Sequence, residues 1–321
     1  MVGLPGLLGG ALWWMTTMPE GRAPDDRSSS RDVERGLEGR LRVHVQTLAG
    51  DVGERNVFRP EGLERAAEYL ETALVELGHQ VEAQELESDG VAVRNLEVEQ
   101  TGRARPGEIV VVGAHYDSVL GCPGANDNGS GVAAAVELSR LLGSRELDRT
   151  VRFVFFVNEE PPFFQTDEMG SLHYARRARA RGERIVAMFS LETMGYFTDV
   201  EGSQQYPFPF GLFYPSRGDF IAFVGNLSSQ SLVRRSVDSF RRHASIPAEG
   251  AAVPGGITGV GWSDHWAFWQ QGYPGVMVTD TAPFRYPQYH TPEDTPDRVC
   301  YPQLARVVAG LEQVILDLAH E

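Results

Sequence analysis

Three short apolar runs dominate what this chain can become: EIVVVG at 108–113, VRFVFFV at 151–157 and IVAMFSL at 185–191. They are continuous rather than alternating, which is the pattern of strands buried on both faces in a parallel sheet. Helical spacing follows the first two, at 129–142 and 171–181. Upstream, residues 62–78 place Leu63, Ala66, Ala67, Leu70, Leu74 and Leu77 on one helical face, and 91–99 alternates like a half-buried strand. Downstream come a strand in DFIAFVG, a helix at 229–243, a short helix in DHWAFWQQG, a strand in GVMVTD and an amphipathic helix at 302–319. The stretches 203–217 and 247–261, rich in Pro, Gly and aromatic residues, read as loops. Strand and helix patterns alternating over this length predict one α/β domain with a mainly parallel, mixed central sheet flanked by helices.

The ends of the apolar runs carry the chemistry. His115 and Asp117 follow the first, Glu159 and Glu160 the second, and Glu192 closes the third. Open parallel sheets bind ligands at the carboxyl ends of their strands, so these side chains are expected on one rim. Asp127 in GANDNGSG and His290 in QYHTPEDTPD complete, with His115, Glu160 and Glu192, a set of two histidines and three carboxylates, with Glu159 and Asp117 beside it. Singly, each has an ordinary reading as a turn residue or a hydrogen-bonded core histidine. Two glutamates directly after a fully apolar strand, however, face a burial cost that a functional site would explain. Imidazole and carboxylate without sulfur suit two borderline or hard divalent ions, with zinc first and cobalt or manganese compatible. Two Zn²⁺ against three carboxylates and one bridging hydroxide sum to zero, which leaves Glu159 as proton carrier. A water between two metals ionises near neutral pH, and Glu159 would serve as its general base. Asp117 is placed to orient the second ring nitrogen of His115.

Several classes drop out. Acidic residues number 44 against 29 Lys and Arg, with no lysine at all, giving a net charge of −15. Such a chain lacks the basic footprint of a nucleic-acid partner. The two cysteines, Cys122 and Cys300, form no CxxC pattern and exclude a thiolate zinc site, and Cys122 reads as a small buried group beside the site loop. GSG at 129–131 lacks the Lys-Ser/Thr of a phosphate loop. Residues 1–15 are apolar and glycine-rich, too short for a spanning helix and without a positive leader. They fit a shortened export or anchor segment of an extracytoplasmic protein, and equally a tail on a cytoplasmic one. Membrane contact, if any, is expected through this stretch, where Trp13 and Trp14 suit an interface. With 19–34 read as a polar linker, the chain divides into an N-terminal segment at 1–34 and a catalytic domain at 35–321.

Taken in order, GAHYDS, GANDNGSG, NEE, SLETMGY and QYHTPEDTPD resemble the motifs of the secreted bacterial di-zinc aminopeptidases. Relatives of that family include glutamate carboxypeptidase, the transferrin receptor and the glutaminyl cyclases. The resemblance spans residues 40–319 and implies a zinc-exopeptidase fold holding two Zn²⁺ per chain. It implies that Asp127 bridges the metals, with His115 and Glu192 completing one site and Glu160 and His290 the other. Glu159 matches the family's base and Tyr289 a phenol that steadies the developing oxyanion. A cis peptide after the bridging aspartate would fall at Asp127–Asn128. The implied partner is a peptide with a free N-terminus; carboxylates at the site could hold its amino group, with Glu192 and Glu159 the candidates.

Two features depart from the pattern. Aspartate is common where this chain has Glu192, and PPFFQTDEMGS after the glutamate pair is longer than usual. Phe163 and Phe164, with the 203–217 loop, are expected to wall the substrate pocket and favour an apolar first side chain. Ser263-Asp264-His265 could support the metal ligands or simply cap the short helix, with the structural part expected, and Trp262, Trp266 and Trp269 are expected to lie in the core. Two other functions share the motifs: a one-zinc cyclase of N-terminal glutamine, and a non-catalytic binding domain. Retention of every ligand and of the base speaks against the latter.

Overall fold

A computed structural model describes residues 10, 12–20 and 30–321. Helix α1 (Ser30–Val45) runs into a π-helical turn at Gln46–Val52, and α2 (Pro60–Glu76) follows. Pro60 sits in the first turn of α2, where a missing N–H leaves no bond unmade. The helix buries Leu63, Ala66, Ala67, Leu70 and Leu74, the face that the spacing predicts. Then come β1 (Val81–Ser88), β2 (Val91–Gln100), β3 (Arg105–His115), α3 (Gly131–Leu142), β4 (Arg149–Phe156), α4 (Gly170–Ala180) and β5 (Arg184–Glu192). The chain continues through β6 (Ile221–Gly225), α5 (Gln230–His243), β7 (Ala248–Ala252), α6 (His265–Gln270), β8 (Gly275–Thr279) and α7 (Tyr301–His320).

The strands form one sheet in the order β1-β2-β4-β3-β5-β8-β6-β7. Its centre, β4-β3-β5-β8, is parallel throughout. The flanks are mixed: β2 runs antiparallel to β4 and to β1, β6 antiparallel to β8, and β7 parallel to β6. This is the expected mixed α/β sheet, and β3 shows why its run is continuous. Val110 and Val112 join the larger apolar cluster, beneath α1, α2, α3, α5 and α7. Ile109 and Val111 point to the opposite face and join the smaller cluster with α4 and α6.

One expectation fails here. The composition of 247–261 predicts loop throughout, yet Ala248–Ala252 is an edge strand paired with β6. The sequence AEGAA has no β-branched or aromatic residue, so only the partner strand and the packing above it make it a strand. Gly250 permits that packing: a Cβ there would meet Val237 Cγ2 at 2.8 Å and Met18 Cγ at 2.9 Å.

Residues 12–16 form a helical turn that lies on the body. Leu12 and Met15 pack against Phe210, Val253 and Val260, and Met18 is buried in the main core. Gln230 donates to the Trp14 carbonyl (3.2 Å) and Arg241 to that of Pro19 (2.7 Å). The rest of the opening stretch and much of the polar linker lie outside the described residues, and α1 begins at Ser30, inside the span read as linker. Among the described residues no helix is long and apolar enough to cross a membrane.

Candidate metal centre

The fold gathers the predicted side chains at the carboxyl ends of β3, β4 and β5. His115 is the last residue of β3 and Glu192 the last of β5. Glu159 and Glu160 lie in the turn leaving β4, the strand on the other side of β3. Asp127 stands in a π-helical turn (Ala125–Ser130) ahead of α3, and His290 in the loop between β8 and α7.

Asp127 lies between the two imidazoles. Its Oδ1 is 3.4 Å from His115 Nε2 and its Oδ2 is 3.0 Å from His290 Nε2. His115 Nε2 also lies 3.3 Å from Glu192 Oε2, and His290 Nε2 lies 3.3 Å from Glu160 Oε2. Two donor groups result, His115-Asp127-Glu192 and Asp127-Glu160-His290, with the donor atoms of each within 4.8 Å of one another. Glu159 belongs to neither and is 3.8 Å from His115 Nε2. Both histidine Nε2 atoms, Asp127 Oδ1 and Glu160 Oε1 are buried without a hydrogen bond. Buried polar atoms are rarely left so unless something else satisfies them, and this donor set fits two borderline divalent cations.

The charges point the same way. Burial, reinforced by Asp127, pushes the Glu160 carboxyl up to about 8 despite the pull of His290. Burial likewise raises Glu159 well above the carboxylate range, with His115 opposing and Glu192 adding. For His290 burial works against the proton, but Asp127 and Glu160 prevail and raise it to about 10. Asp127 alone is held below its ordinary range, because the two imidazoles outweigh its burial.

Between about pH 4.5 and 8, Glu160 thus binds a proton in the folded chain that the unfolded chain has released. Stability of the metal-free protein is expected to fall as pH rises through that window. His290 acts in the same direction up to about pH 10. Saturating Zn²⁺ should reverse the trend, since cations take the place of protons at these atoms. Thermal unfolding against pH, with and without chelator, checks this. A melting temperature that is flat or rising in the chelated protein contradicts it.

Other side chains hold the cluster in place. His115 Nδ1 is 3.5 Å from Asp117 Oδ1 and 3.3 Å from the Asp117 carbonyl. Asp117 does more than predicted: its two carboxylate oxygens accept the N–H groups of Glu159 (3.2 Å) and Glu160 (3.1 Å), tying the β4 turn to the β3 end. The Asp127–Asn128 peptide is cis, as the resemblance implied. Asn128 donates to the Leu191 carbonyl (2.8 Å) and accepts from Thr193 N–H (3.1 Å), locking the turn to the end of β5. Ser263 donates to Glu192 Oε2 at 2.7 Å and bonds Ser190 Oγ at 2.6 Å, so it supports a candidate ligand directly. His265 is structural as expected, with Nε2 2.8 Å from the Val260 carbonyl.

Sequence reasoning missed two positioning residues. Asp294 accepts the N–H groups of Asn126 (2.9 Å) and Asp127 (3.0 Å) and is held by the Tyr286 hydroxyl (2.8 Å). Arg55 is fully buried and donates to the carbonyls of Tyr116, Leu48, Gly53, Pro123 and Gly124. Burial lowers its pKa to about 10, with Asp117, Asp294 and Asp127 working to keep it charged. Neither residue carries a spacing signature, because both act on backbone groups distant in sequence. Arg55→Leu leaves those carbonyls unpaired and is expected to cost about 3 kcal/mol or more of stability. Denaturant unfolding of the chelated protein reads this, and a loss below about 1 kcal/mol would contradict the assignment.

A cavity enclosing about 860 Å³, open solvent at its mouth included, adjoins Glu192 and Tyr289. The Tyr289 ring stacks on His290 with centroids 3.8 Å apart. The 203–217 loop lines the cavity through Tyr206, Pro207, Phe210 and Tyr214, as predicted. Phe163 and Phe164 do not. Phe163 is buried and stacks on Phe58 (6.2 Å), while Phe164 packs against the smaller apolar cluster, because the turn after Glu160 folds back towards α4. Trp262, expected in the core, is 42% exposed and lines the cavity. Cys122 is buried as expected, and both cysteines are free.

Comparison with known proteins agrees with this geometry. The family profile described as "Peptidase family M28" matches residues 95–315. An uncharacterized Escherichia coli protein, YfbL, is 38% identical over 280 residues, covering 84% of this chain and 85% of that protein. Aminopeptidase YwaD of Bacillus subtilis is 30% identical over 202 residues, 60% of this chain but only 37% of the relative. Among solved structures, a zinc aminopeptidase from Bacillus subtilis superposes with a TM-score of 0.69 at 15% identity, covering 88% of this chain and 95% of its own. A glutaminyl cyclase from Fimbriiglobus ruber gives 0.64 at 22% identity, covering 87% and 94%. At those identities the two structures share the fold.

Proposed function

The chain belongs to peptidase family M28 and is a zinc-dependent metallopeptidase; from that premise we propose that it is an aminopeptidase, removing N-terminal residues from peptides. The observation that carries this reading is Asp127, shared by two donor groups while Glu159 stands outside both. His115 and Glu192 would hold one cation with Asp127, and Glu160 and His290 the other. Bound there, two divalent cations supply Lewis-acid polarisation of the scissile carbonyl and acidify the attacking water.

The chain's own groups do the rest. Glu159 takes the proton of the attacking water and delivers it to the leaving amine. Burial raises its pKa, so the ionised carboxylate is a stronger proton acceptor. The Tyr289 hydroxyl keeps its proton, since burial and the surrounding carboxylates push its pKa far upward, and it donates to the developing oxyanion. Asp117 keeps His115 oriented. Glu192 and Glu159 are the candidates to hold the substrate's α-amino group, and the cavity beside Glu192 would receive the first side chain.

A panel of aminoacyl-anilides and their N-acetylated counterparts, run with and without chelator, tests this. Hydrolysis restricted to free N-termini, abolished by chelator and restored by Zn²⁺, is the expected result. Cyclisation of N-terminal glutamine without hydrolysis would instead support the cyclase reading that shares this fold.

A further inference from the structure

The floor of the cavity is a strip of sheet with a carboxylate at each end. Glu192 on β5 pairs with Thr279 on β8, Thr279 with Ala222 on β6, and Ala222 with Glu249 on β7. All four residues line the cavity. Three strand spacings of about 4.8 Å separate the end positions, roughly 14 Å between the backbones at Glu192 and Glu249. The adjacent row, Met277, Val224 and Ala251, lies on the same face and is apolar. Among the described lining residues Glu192 and Glu249 are the only charged ones. The hydroxyls of Tyr206 and Tyr214 donate to the carbonyls of Pro215 (2.6 Å) and Gly250 (2.7 Å), so they are already engaged.

Glu249 is only partly neutralised. Its Oε2 lies 3.3 Å from Arg241 Nη2, and no ion pair is found for Oε1 among the described residues. The Arg241 guanidinium is directed mainly at backbone, donating to the carbonyls of Ala248 (3.0 and 2.7 Å) and Pro19 (2.7 Å). Burial raises the Glu249 carboxyl above its ordinary pKa, Arg241 opposing. A cavity serving only aliphatic side chains gains nothing from a carboxylate in this position, which costs desolvation. A cation delivered along the apolar strip would offset that cost.

We propose that Glu249 makes this cavity selective for a long side chain with a cationic end, arginine or lysine, at the first residue of the substrate. The methylene stem lies along Ala222, Val224 and Met277, and the charged head meets Glu249. Acidic first residues are disfavoured by the same carboxylate. This rests on the aminopeptidase reading of the adjacent centre.

The test combines hydrolysis and binding on the full chain loaded with Zn²⁺. Arginyl-, lysyl-, leucyl- and glutamyl-anilides are compared for wild type, Glu249→Gln and Glu249→Asp, and argininamide and leucinamide are titrated calorimetrically into the same proteins. Wild type is expected to prefer arginyl and lysyl over leucyl substrates by about tenfold or more in kcat/KM. Glu249→Gln should remove that preference while leucyl turnover changes less than about twofold, which also shows that the variant is folded. Glu249→Asp, which keeps the charge, should retain part of it. Leucyl substrates preferred by wild type, or an equal loss for all substrates in Glu249→Gln, overturns the proposal and leaves the aminopeptidase reading standing. If no anilide is hydrolysed yet argininamide binding depends on Glu249, the aminopeptidase reading fails and the cavity assignment survives.

Discussion

Glu159→Gln is expected to lower kcat by about 10³-fold while both cations stay bound. Glu159 is outside both donor groups, and its 3.8 Å contact with His115 is longer than the 3.3–3.4 Å contacts of Glu192 and Asp127 with the same nitrogen. Glutamine keeps the shape, and the bond to Asp117 comes from the residue 159 backbone N–H, so the turn is undisturbed. What it loses is the ability to take up and return a proton. Its stability should not fall, because the carboxylate it replaces is one whose charge burial opposes. Steady-state kinetics beside metal analysis reads both halves of the expectation. Activity within about tenfold of wild type would remove Glu159 from the proton-transfer role, and loss of metal would make it a ligand instead.

Asp127→Ala is expected to weaken both cation sites together, by more than about 100-fold each, and to abolish turnover. The reasoning is geometric: Oδ1 faces His115 and Oδ2 faces His290, so one truncation removes a donor from each group. Glu160→Ala is the control, since Glu160 belongs to one group only and its loss should release one cation preferentially. The turn should survive in Asp127→Ala because Asp294 holds the backbone N–H of residue 127, not its side chain. Isothermal titration of Zn²⁺ into the stripped proteins distinguishes the two variants. A single cation lost from Asp127→Ala, or two from Glu160→Ala, contradicts the shared arrangement.

The centre was legible because its strands are. EIVVVG, VRFVFFV and IVAMFSL became β3, β4 and β5, and adjacency of three parallel strands placed His115, the glutamate pair and Glu192 on one rim. Asp127 and His290 come from loops, whose convergence no periodicity encodes; there the family resemblance supplied the expectation. Glu192, the departure from the common pattern, reaches His115 at 3.3 Å with Ser263 fixing its other contact, so the extra methylene is accommodated by a local partner. The substrate cavity was the least legible part. Its floor includes β7, whose AEGAA sequence is a strand only by virtue of β6 and the close approach of α5. Glu249, carried by that strand, therefore has no periodicity to mark it. Proximity in sequence to the glutamates points Phe163 and Phe164 to the wall, whereas Phe163 is buried in the larger apolar cluster and Phe164 packs half-buried against the smaller one.

The most direct test of the account is the number of divalent cations bound per chain, measured by elemental analysis of protein saturated with Zn²⁺ and freed of excess. The two donor groups sharing Asp127 call for two per chain, both lost to chelator together with hydrolytic activity. One tightly bound cation, with activity complete at that stoichiometry, would contradict the co-catalytic centre and favour the cyclase reading in its place.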